Sequence, residues 1–312
     1  MPRGATPPER FARALDALVA RIRDDRAVLA TLLCGSLAHD TVWARSDIDL
    51  VLVTIDDAKV DAAAMALDAD GVNVHASLIP RARFKHMADG GMTNAFMHSL
   101  LSKGRLLYSH DESLAPLLER MRTLGDRDTQ ILMLGAATEA LACLYKAHKW
   151  LVTRDDCNYA ALWILAAATP LARIEVMRHA ELADREVLPR AVQLNPPVFD
   201  ALYTDMLNTP KTVAAVRQAL AVADHYVAEC AATFSAPLVA WLEEAGEARS
   251  CTEIDAHFTR TLGLSHASAT CEYLADQGVI GRAAIAARLT RKSTADVEEL
   301  AFYALTPPPR DF

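Results

Sequence analysis

Two aspartates separated by one residue, Asp47 and Asp49, stand at the start of an apolar run that continues to Val53. On a β-strand alternate side chains share a face, so both carboxylates would point the same way while Ile48 enters a core. Two such close carboxylates repel each other, and a divalent cation that prefers oxygen ligands, Mg²⁺ or Mn²⁺, would relieve the repulsion. The pair therefore predicts a metal site with Asp47 and Asp49 as ligands.

A second apolar run ends in Gly35-Ser36, shortly before the aspartates. If a helix begins directly after this turn, its free backbone N–H groups and the Ser36 hydroxyl face an anion such as a triphosphate. Gly35 carries no side chain to block the approach of that anion. The turn and the aspartates explain each other, because a triphosphate held by the turn would complete the coordination shell of the metal.

The pattern Gly35-Ser36, then Ser46-Asp47-Ile48-Asp49 opening an apolar strand, resembles the DNA polymerase β-type nucleotidyltransferase superfamily, with its aminoglycoside nucleotidyltransferase-like and minimal members. The resemblance implies a small α+β domain that binds a nucleoside triphosphate, ATP by preference, with Mg²⁺. It implies transfer of a nucleoside monophosphate to a hydroxyl acceptor, and release of pyrophosphate.

The third carboxylate of that superfamily lies on the next long strand, where this chain has Asn73 and His75 on the face opposite the valines. Neither side chain is a carboxylate, and the register leaves open which of them takes its place. Three interpretations follow. His75 acts as the base, since histidine titrates near neutral pH; a carboxylate of a later helical segment replaces the missing one; or the site binds nucleotide without transferring it.

The later helical segment offers Glu139, Lys146 and Lys149, which lie close to one face of a long helix. Relatives of the aminoglycoside type draw a glutamate base and a phosphate-binding lysine from their helical domain, so the resemblance implies these roles here. His39 follows the Gly-Ser turn and Arg45 precedes Ser46, which makes both candidates for phosphate contacts.

The hydrophobic patterns predict three parts: a mixed-sheet nucleotidyltransferase domain over 1–125, an all-α helical bundle over 126–235 and a winged-helix-like domain over 236–312. In the first part we expect strands at 27–34, 48–55, 72–79 and 105–108, and helices at 9–25, 58–67, 81–87 and 92–102. Pro237 is expected to start the third part, which follows the order helix, turn, helix, hairpin.

Composition limits the classes of partner. The formal net charge is −8, so a generally basic surface for nucleic acid is absent. Acidic residues outnumber basic ones over 236–312, which favours packing or dimerisation of this part over DNA binding. The six scattered cysteines suit free thiols, and no apolar stretch predicts a membrane span, so we expect a cytoplasmic protein without membrane contact.

The sequence thus predicts an enzyme, a nucleotidyltransferase acting on a nucleoside triphosphate and an unidentified hydroxyl acceptor, a small molecule by preference. Two alternatives stay open. One is a catalytically inactive nucleotide-binding regulator with a winged-helix contact domain; the other is a toxin-like nucleotidyltransferase acting on tRNA or protein. A homodimer is compatible with all three.

Overall fold

The computed structural model describes residues 6–35, 37, 43, 45–56, 63–88, 101, 104–121, 126–183 and 186–305. The chain divides into two compact units, Met1–Leu124 and Gly125–Phe312. The first holds a mixed five-stranded sheet and the second is mainly helical, which confirms the α+β class.

The first unit is built on a sheet with strand order β3-β4-β2-β1-β5. Strand β2 pairs parallel with β4, and the other pairs are antiparallel. The elements are, in chain order, α1 (Pro7–Arg23), β1 (Val28–Cys34), β2 (Ile48–Thr54), β3 (Ala64–Ala69), β4 (Val72–Pro80), α2 (Arg81–His86), β5 (Arg105–Ser109) and α3 (Leu114–Met121). The four predicted strands of this unit are confirmed, whereas α3 was not predicted.

Both faces of the sheet carry apolar side chains, which explains the continuous hydrophobic runs of β1 and β2. Helix α1 packs Phe11 and Leu15 on one face, together with Ile48 and Leu50. The other face is filled by a cluster that includes Val51, with Phe84 of α2 and four leucines and a methionine from later residues (Leu101, Leu114, Leu117, Leu118 and Met121).

The helix predicted over 58–67 is wrong for its described part, because residues 64–69 form strand β3. Asp70 and Gly71 both have positive φ, 51° and 75°, and connect β3 to β4 as a two-residue hairpin. Such turns need positive φ at both central residues and favour Asp-Gly. The turn and the pairing with β4 override the helical propensity of the alanines in this segment. The predicted helix over 92–102 lies outside the described residues except for Leu101, which is helical.

The second unit consists of packed helices followed by a small sheet. Its helices are α4 (Asp126–Arg154), α5 (Cys157–Arg178), α6 (Val187–Leu194), α7 (Pro196–Phe199), a π-helical turn (Asp200–Thr204), α8 (Asp205–Asn208), α9 (Val213–Ala245), α10 (Cys251–Leu262) and α11 (Ala267–Asp276). The short strand β6 (Arg249–Ser250) precedes α10, and the hairpin of β7 (Ile280–Ala287) and β8 (Val297–Ala304) follows α11. The three strands form a sheet in the order β6-β8-β7.

Helix α9 does not stop where the sequence places a break, because it runs through Pro237 to Ala245. A proline inside a helix removes one backbone hydrogen bond and costs about 3 kcal/mol. Burial of Phe234, Leu238 and Leu242 along the same helix offsets that cost. The prediction that Pro237 starts a new helical segment is therefore wrong, because α9 continues past it. The predicted domain ranges stay a prediction.

A buried carboxylate ties three helical positions together inside the second unit. Glu175 of α5 is 3% exposed and accepts a 2.7 Å hydrogen bond from the Tyr226 hydroxyl of α9. It also lies 3.5 Å from Arg178 Nη1 and 3.2 Å from His179 Nε2. Burial raises the pKa of Tyr226, so its hydroxyl stays protonated and available as a donor.

Among the described helices, Cys157–Arg178 alone is long and apolar enough to cross a membrane, and 67% of its most apolar window is buried inside the molecule. That burial suits a core helix. All six cysteines are free thiols, and three of them are buried: Cys34, Cys230 and Cys271.

Candidate functional site

The parallel pairing of β2 with β4 brings the polar residues of the two strands together. Asp49 lies directly beside His75, and Ile48 lies beside Val74. Asn73 therefore belongs to the level of Asp47, just before β2 begins. The register thus places His75 beside the second aspartate and Asn73 beside the first, and which of them takes the place of a third carboxylate stays a prediction.

Four side chains at this end of the sheet form one cluster, which we call the acidic cluster: Asp47, Asp49, Asn73 and His75. Asn73 Nδ2 donates to Asp47 Oδ1 at 3.1 Å and lies 3.0 Å from His75 Nε2. His75 Nδ1 lies 3.7 Å from Asp49 Oδ1 and 3.9 Å from Asp47 Oδ2. All four side chains are partly or fully solvent-exposed, so a ligand can reach them.

Gly35 makes room for the second aspartate. Its φ is +69°, and an added Cβ would lie 2.0 Å from Asp49 Oδ2 and 2.9 Å from Asp49 Cγ. A side chain at this position would therefore be strained by the backbone and would collide with the carboxylate. The glycine that the sequence assigns to phosphate approach also permits the observed position of Asp49.

Cys34 is a member of this neighbourhood that the sequence reasoning missed. It pairs with Asp49 across the antiparallel strands β1 and β2, so the two side chains share a face. Burial, and then the Asp49 charge, raise the pKa of the Cys34 thiol to about 12. The thiol stays protonated and is unsuited to metal binding. The alternation of β1 counted back from Gly35 is the signal that would have found it.

The two carboxylates suit a hard divalent cation, although the described residues contain no group of three or more His, Cys, Asp or Glu side chains arranged to hold a metal ion. Mg²⁺ is commonly bound by one or two carboxylates, with waters and substrate phosphates supplying the other ligands. The Asp49 side chain is 31% exposed, so such a ligand can reach its carboxylate. The residues present therefore fit a metal that arrives together with a phosphate ligand.

The remaining candidates of the first unit lie in the loop before β2. Ser46 Oγ accepts a 3.1 Å hydrogen bond from Trp43 N, and Ser46 N donates to Trp43 O. This pair of bonds closes a tight turn just ahead of the aspartates. Arg45 is exposed in the same turn. Ser36 and His39 lie outside the described residues, so their predicted phosphate contacts stay predictions.

The three candidates from the helical segment lie on α4 in the second unit. Glu139 forms a 2.5 Å ion pair with Arg173 of α5. Lys146 Nζ lies 4.1 Å from the centre of the Trp163 ring, a cation–π distance. Lys149 is exposed. Both Glu139 and Lys146 thus have partners on the neighbouring helix, and their roles at a nucleotide site stay predictions.

The exposed side of α11, the helix before the β7–β8 hairpin, is acidic. Ala267, Thr270 and Cys271 are buried, while Glu272 and Asp276 are exposed. Arg282 of β7 lies 3.1 Å from Asp276, and three further basic side chains lie near the turn of the hairpin, at 288, 291 and 292.

Comparison with known proteins identifies a similar fold. No protein-family model matches the chain, and no curated protein matches it. A solved structure does: the nucleotidyltransferase-like protein from Exiguobacterium sibiricum 255-15, at a TM-score of 0.64 and 15% identity, over 95% of this chain and 100% of that one. The fold is nucleotidyltransferase-like. At this identity the likeness shows the nucleotidyltransferase-like fold alone, so function must be argued from the acidic cluster itself.

Proposed function

We propose that this protein is a nucleotidyltransferase that binds a nucleoside triphosphate with Mg²⁺ (or Mn²⁺) and transfers the nucleoside monophosphate to a small-molecule hydroxyl. The observation that carries the proposal is the position of Asp47 and Asp49. They lie on one face, at an open end of the sheet, beside a positive-φ glycine whose missing side chain leaves space for a carboxylate. The nucleotidyltransferase-like fold supports it.

In the proposed reaction the acceptor oxygen attacks the α-phosphorus, and the bond from that phosphorus to the bridging oxygen breaks. The acceptor loses its proton and pyrophosphate leaves. A bound Mg²⁺ would neutralise charge on the phosphates. Asp47 and Asp49 would hold that ion, while the Gly35-Ser36 turn would orient the β- and γ-phosphates. Lys146, Lys149, His39 and Arg45 are the further phosphate contacts that we propose, and ATP is the proposed nucleotide.

A regulator that binds nucleotide without transferring it is the second candidate. The observation that favours it is the makeup of β4 beside the aspartates, where an amide and an imidazole stand in place of a carboxylate. In the enzyme, the acceptor proton must therefore go to His75, to Glu139 or to another group. In the regulator no base is needed.

For the second unit we propose a winged-helix-like arrangement over 249–304, on the order of its strands and helices. Its acidic helix α11 favours packing or self-association over DNA binding, since DNA needs clustered cations. The free thiols support a cytoplasmic location.

The test is calorimetric titration of each Mg·NTP into the wild type and into the double variant Asp47→Asn/Asp49→Asn, with pyrophosphate release followed in parallel. Asp16→Asn/Asp24→Asn removes the same charge from exposed positions of the first unit and is the control. We expect binding to disappear only in the first double variant, with slow release of pyrophosphate by the wild type.

The other outcomes separate the candidates. Metal-dependent binding without release, over a panel of hydroxyl acceptors that includes tRNA and protein, supports the regulator. Release only with tRNA or protein supports the toxin-like enzyme. Binding that is absent, or equal in both double variants, refutes the nucleotide site.

A further inference from the structure

The amide of Asn73 determines the direction of two hydrogen bonds in the acidic cluster. Its Nδ2 lies 3.1 Å from Asp47 Oδ1 and 3.0 Å from His75 Nε2. An amide nitrogen carries two hydrogens and accepts none, whereas a carboxylate only accepts. One hydrogen therefore points to Asp47 and the other to His75. Turning the amide over would place its carbonyl oxygen against the Asp47 carboxylate, so the network itself fixes the assignment.

This geometry determines which nitrogen of His75 carries the proton. Nε2 accepts from Asn73, so a neutral imidazole must carry its proton on Nδ1. Nδ1 faces the two carboxylates, 3.7 Å from Asp49 Oδ1 and 3.9 Å from Asp47 Oδ2. These distances exceed a direct hydrogen bond, yet they place the positive end of the N–H dipole between two negative groups. The neutral ring thus presents a lone pair to the donor Asn73 on one side and an N–H group to the carboxylates on the other.

We propose that Asn73 is a positioning residue, which holds Asp47 and commits His75 to the Nδ1–H tautomer. In that tautomer the lone pair of Nε2 is occupied by Asn73 and Nδ1 has none to offer. His75 then presents an N–H donor, and no lone pair, to the carboxylates and to a metal held by them. The consequence rests on the proposed function: a metal held by Asp47 and Asp49 would gain no ligand from the side of His75 that faces it.

The other tautomer, with the proton on Nε2, is incompatible with the Asn73 amide. A metal held by Asp49 and His75 would require the lone pair on Nδ1 and therefore the proton on Nε2. That N–H would then meet the amide N–H of Asn73 head-on, with one hydrogen bond lost and two donors opposed. Asn73 is exposed at the end of the sheet, so its replacement tests the tautomer without opening a core.

The experiment is a long-range ¹⁵N–¹H correlation of the full-length protein with ¹⁵N-labelled histidine, at about pH 8, where imidazole is neutral. His75→Gln identifies the His75 signals. We expect the proton of His75 on Nδ1 in the wild type, an Nε2–H population in Asn73→Ala, and a proton on Nε2 in Asn73→Asp, whose carboxylate can only accept. Asn208→Ala removes an amide that bonds Thr204 O and no histidine, so it should change nothing.

A wild-type proton on Nε2 overturns the proposal, as does a tautomer that is the same in the wild type, Asn73→Ala and Asn73→Asp. Calorimetry with Mg·ATP on the same samples keeps the two proposals apart. If Nδ1–H is found and Mg·ATP does not bind, the positioning role of Asn73 stands and the nucleotide site fails. If Mg·ATP binds and the proton is on Nε2, the nucleotide site stands and the role of Asn73 fails.

Discussion

Replacing Gly35 with alanine should damage the acidic cluster through a single atom. The added Cβ would lie 2.0 Å from Asp49 Oδ2 and 3.1 Å from Asp49 Cβ, so the carboxylate must turn away. The positive φ costs an alanine about 1–2 kcal/mol, and an aspartate forced off its rotamer costs about 0.5–1.5 kcal/mol more. We expect a total loss of roughly 1.5–3.5 kcal/mol in the free energy of unfolding.

The same change should weaken Mg·ATP binding by roughly 10–100-fold, the range seen when the groups that orient a metal ligand are disturbed. Calorimetry gives the affinity, and urea denaturation followed by circular dichroism gives the stability. Gly71→Ala is the matched control, because its φ is +75° and an added Cβ meets nothing within 4 Å. That variant should lose only the 1–2 kcal/mol, approximately, of the backbone strain and keep its affinity. Equal losses of stability and affinity in the two variants would refute the reasoning.

Three further changes probe the two units. Asn73→Asp adds a third carboxylate to the acidic cluster and should tighten Mn²⁺ binding by roughly five- to tenfold in calorimetry, since one more unit charge faces the ion. Tyr226→Phe removes the 2.7 Å bond to buried Glu175 and should lower the urea-derived free energy of unfolding by about 1–3 kcal/mol. The hydrogen bond to Asp224 raises the pKa of His148. The stabilisation that this bond gives the folded protein is therefore complete below about pH 6.5, the pKa of an unfolded histidine. It is lost as pH rises through the higher pKa of the folded state. Relative to His148→Gln, the wild type should lose up to about 1 kcal/mol between about pH 6 and 8, because both groups are largely exposed.

Each of these changes has a control in the same unit. Asn73→Ser keeps the strand without the charge, Tyr145→Phe removes an exposed hydroxyl, and His225→Gln replaces an exposed histidine of the same helix as Asp224. Weaker Mn²⁺ binding by the aspartate variant, a Tyr226→Phe loss below about 0.5 kcal/mol, or a pH slope that survives in His148→Gln would each contradict its prediction.

The two carboxylates of the acidic cluster could be predicted from their spacing, whereas the hydrogen bonds that Asn73 makes to its neighbours could not. Asp47 and Asp49 share a face because strands alternate, and any strand assignment gives that result. The partner on β4 depends on register across a parallel pair, which no local pattern encodes. Register is also what gives Asn73 its two hydrogen bonds. The carboxylates were therefore readable from the sequence, and the amide that holds them was not.

The fold shows the same division between local and tertiary signals. Asp156 caps α5 by accepting from Tyr159 N, and such a cap is a local feature that a sequence can indicate. The Asp70-Gly71 hairpin was also locally encoded, and the prediction failed by weighing alanine content above the turn. The passage of α9 through Pro237 is different, since burial of distant side chains against the core decides it.

The parallel pairing of β2 with β4 also has a consequence for how the protein folds. The β3–β4 hairpin closes across two residues and can form within microseconds, but β2 joins β4 only after the longer segment between those two strands has been brought together. A slip of one residue at that late step would turn Asn73 and His75 toward α1 and present valines to the aspartates. In a refolding experiment, metal binding would therefore recover after the helical signal. Its final level would report the fraction of molecules in which β2 and β4 pair in the native register.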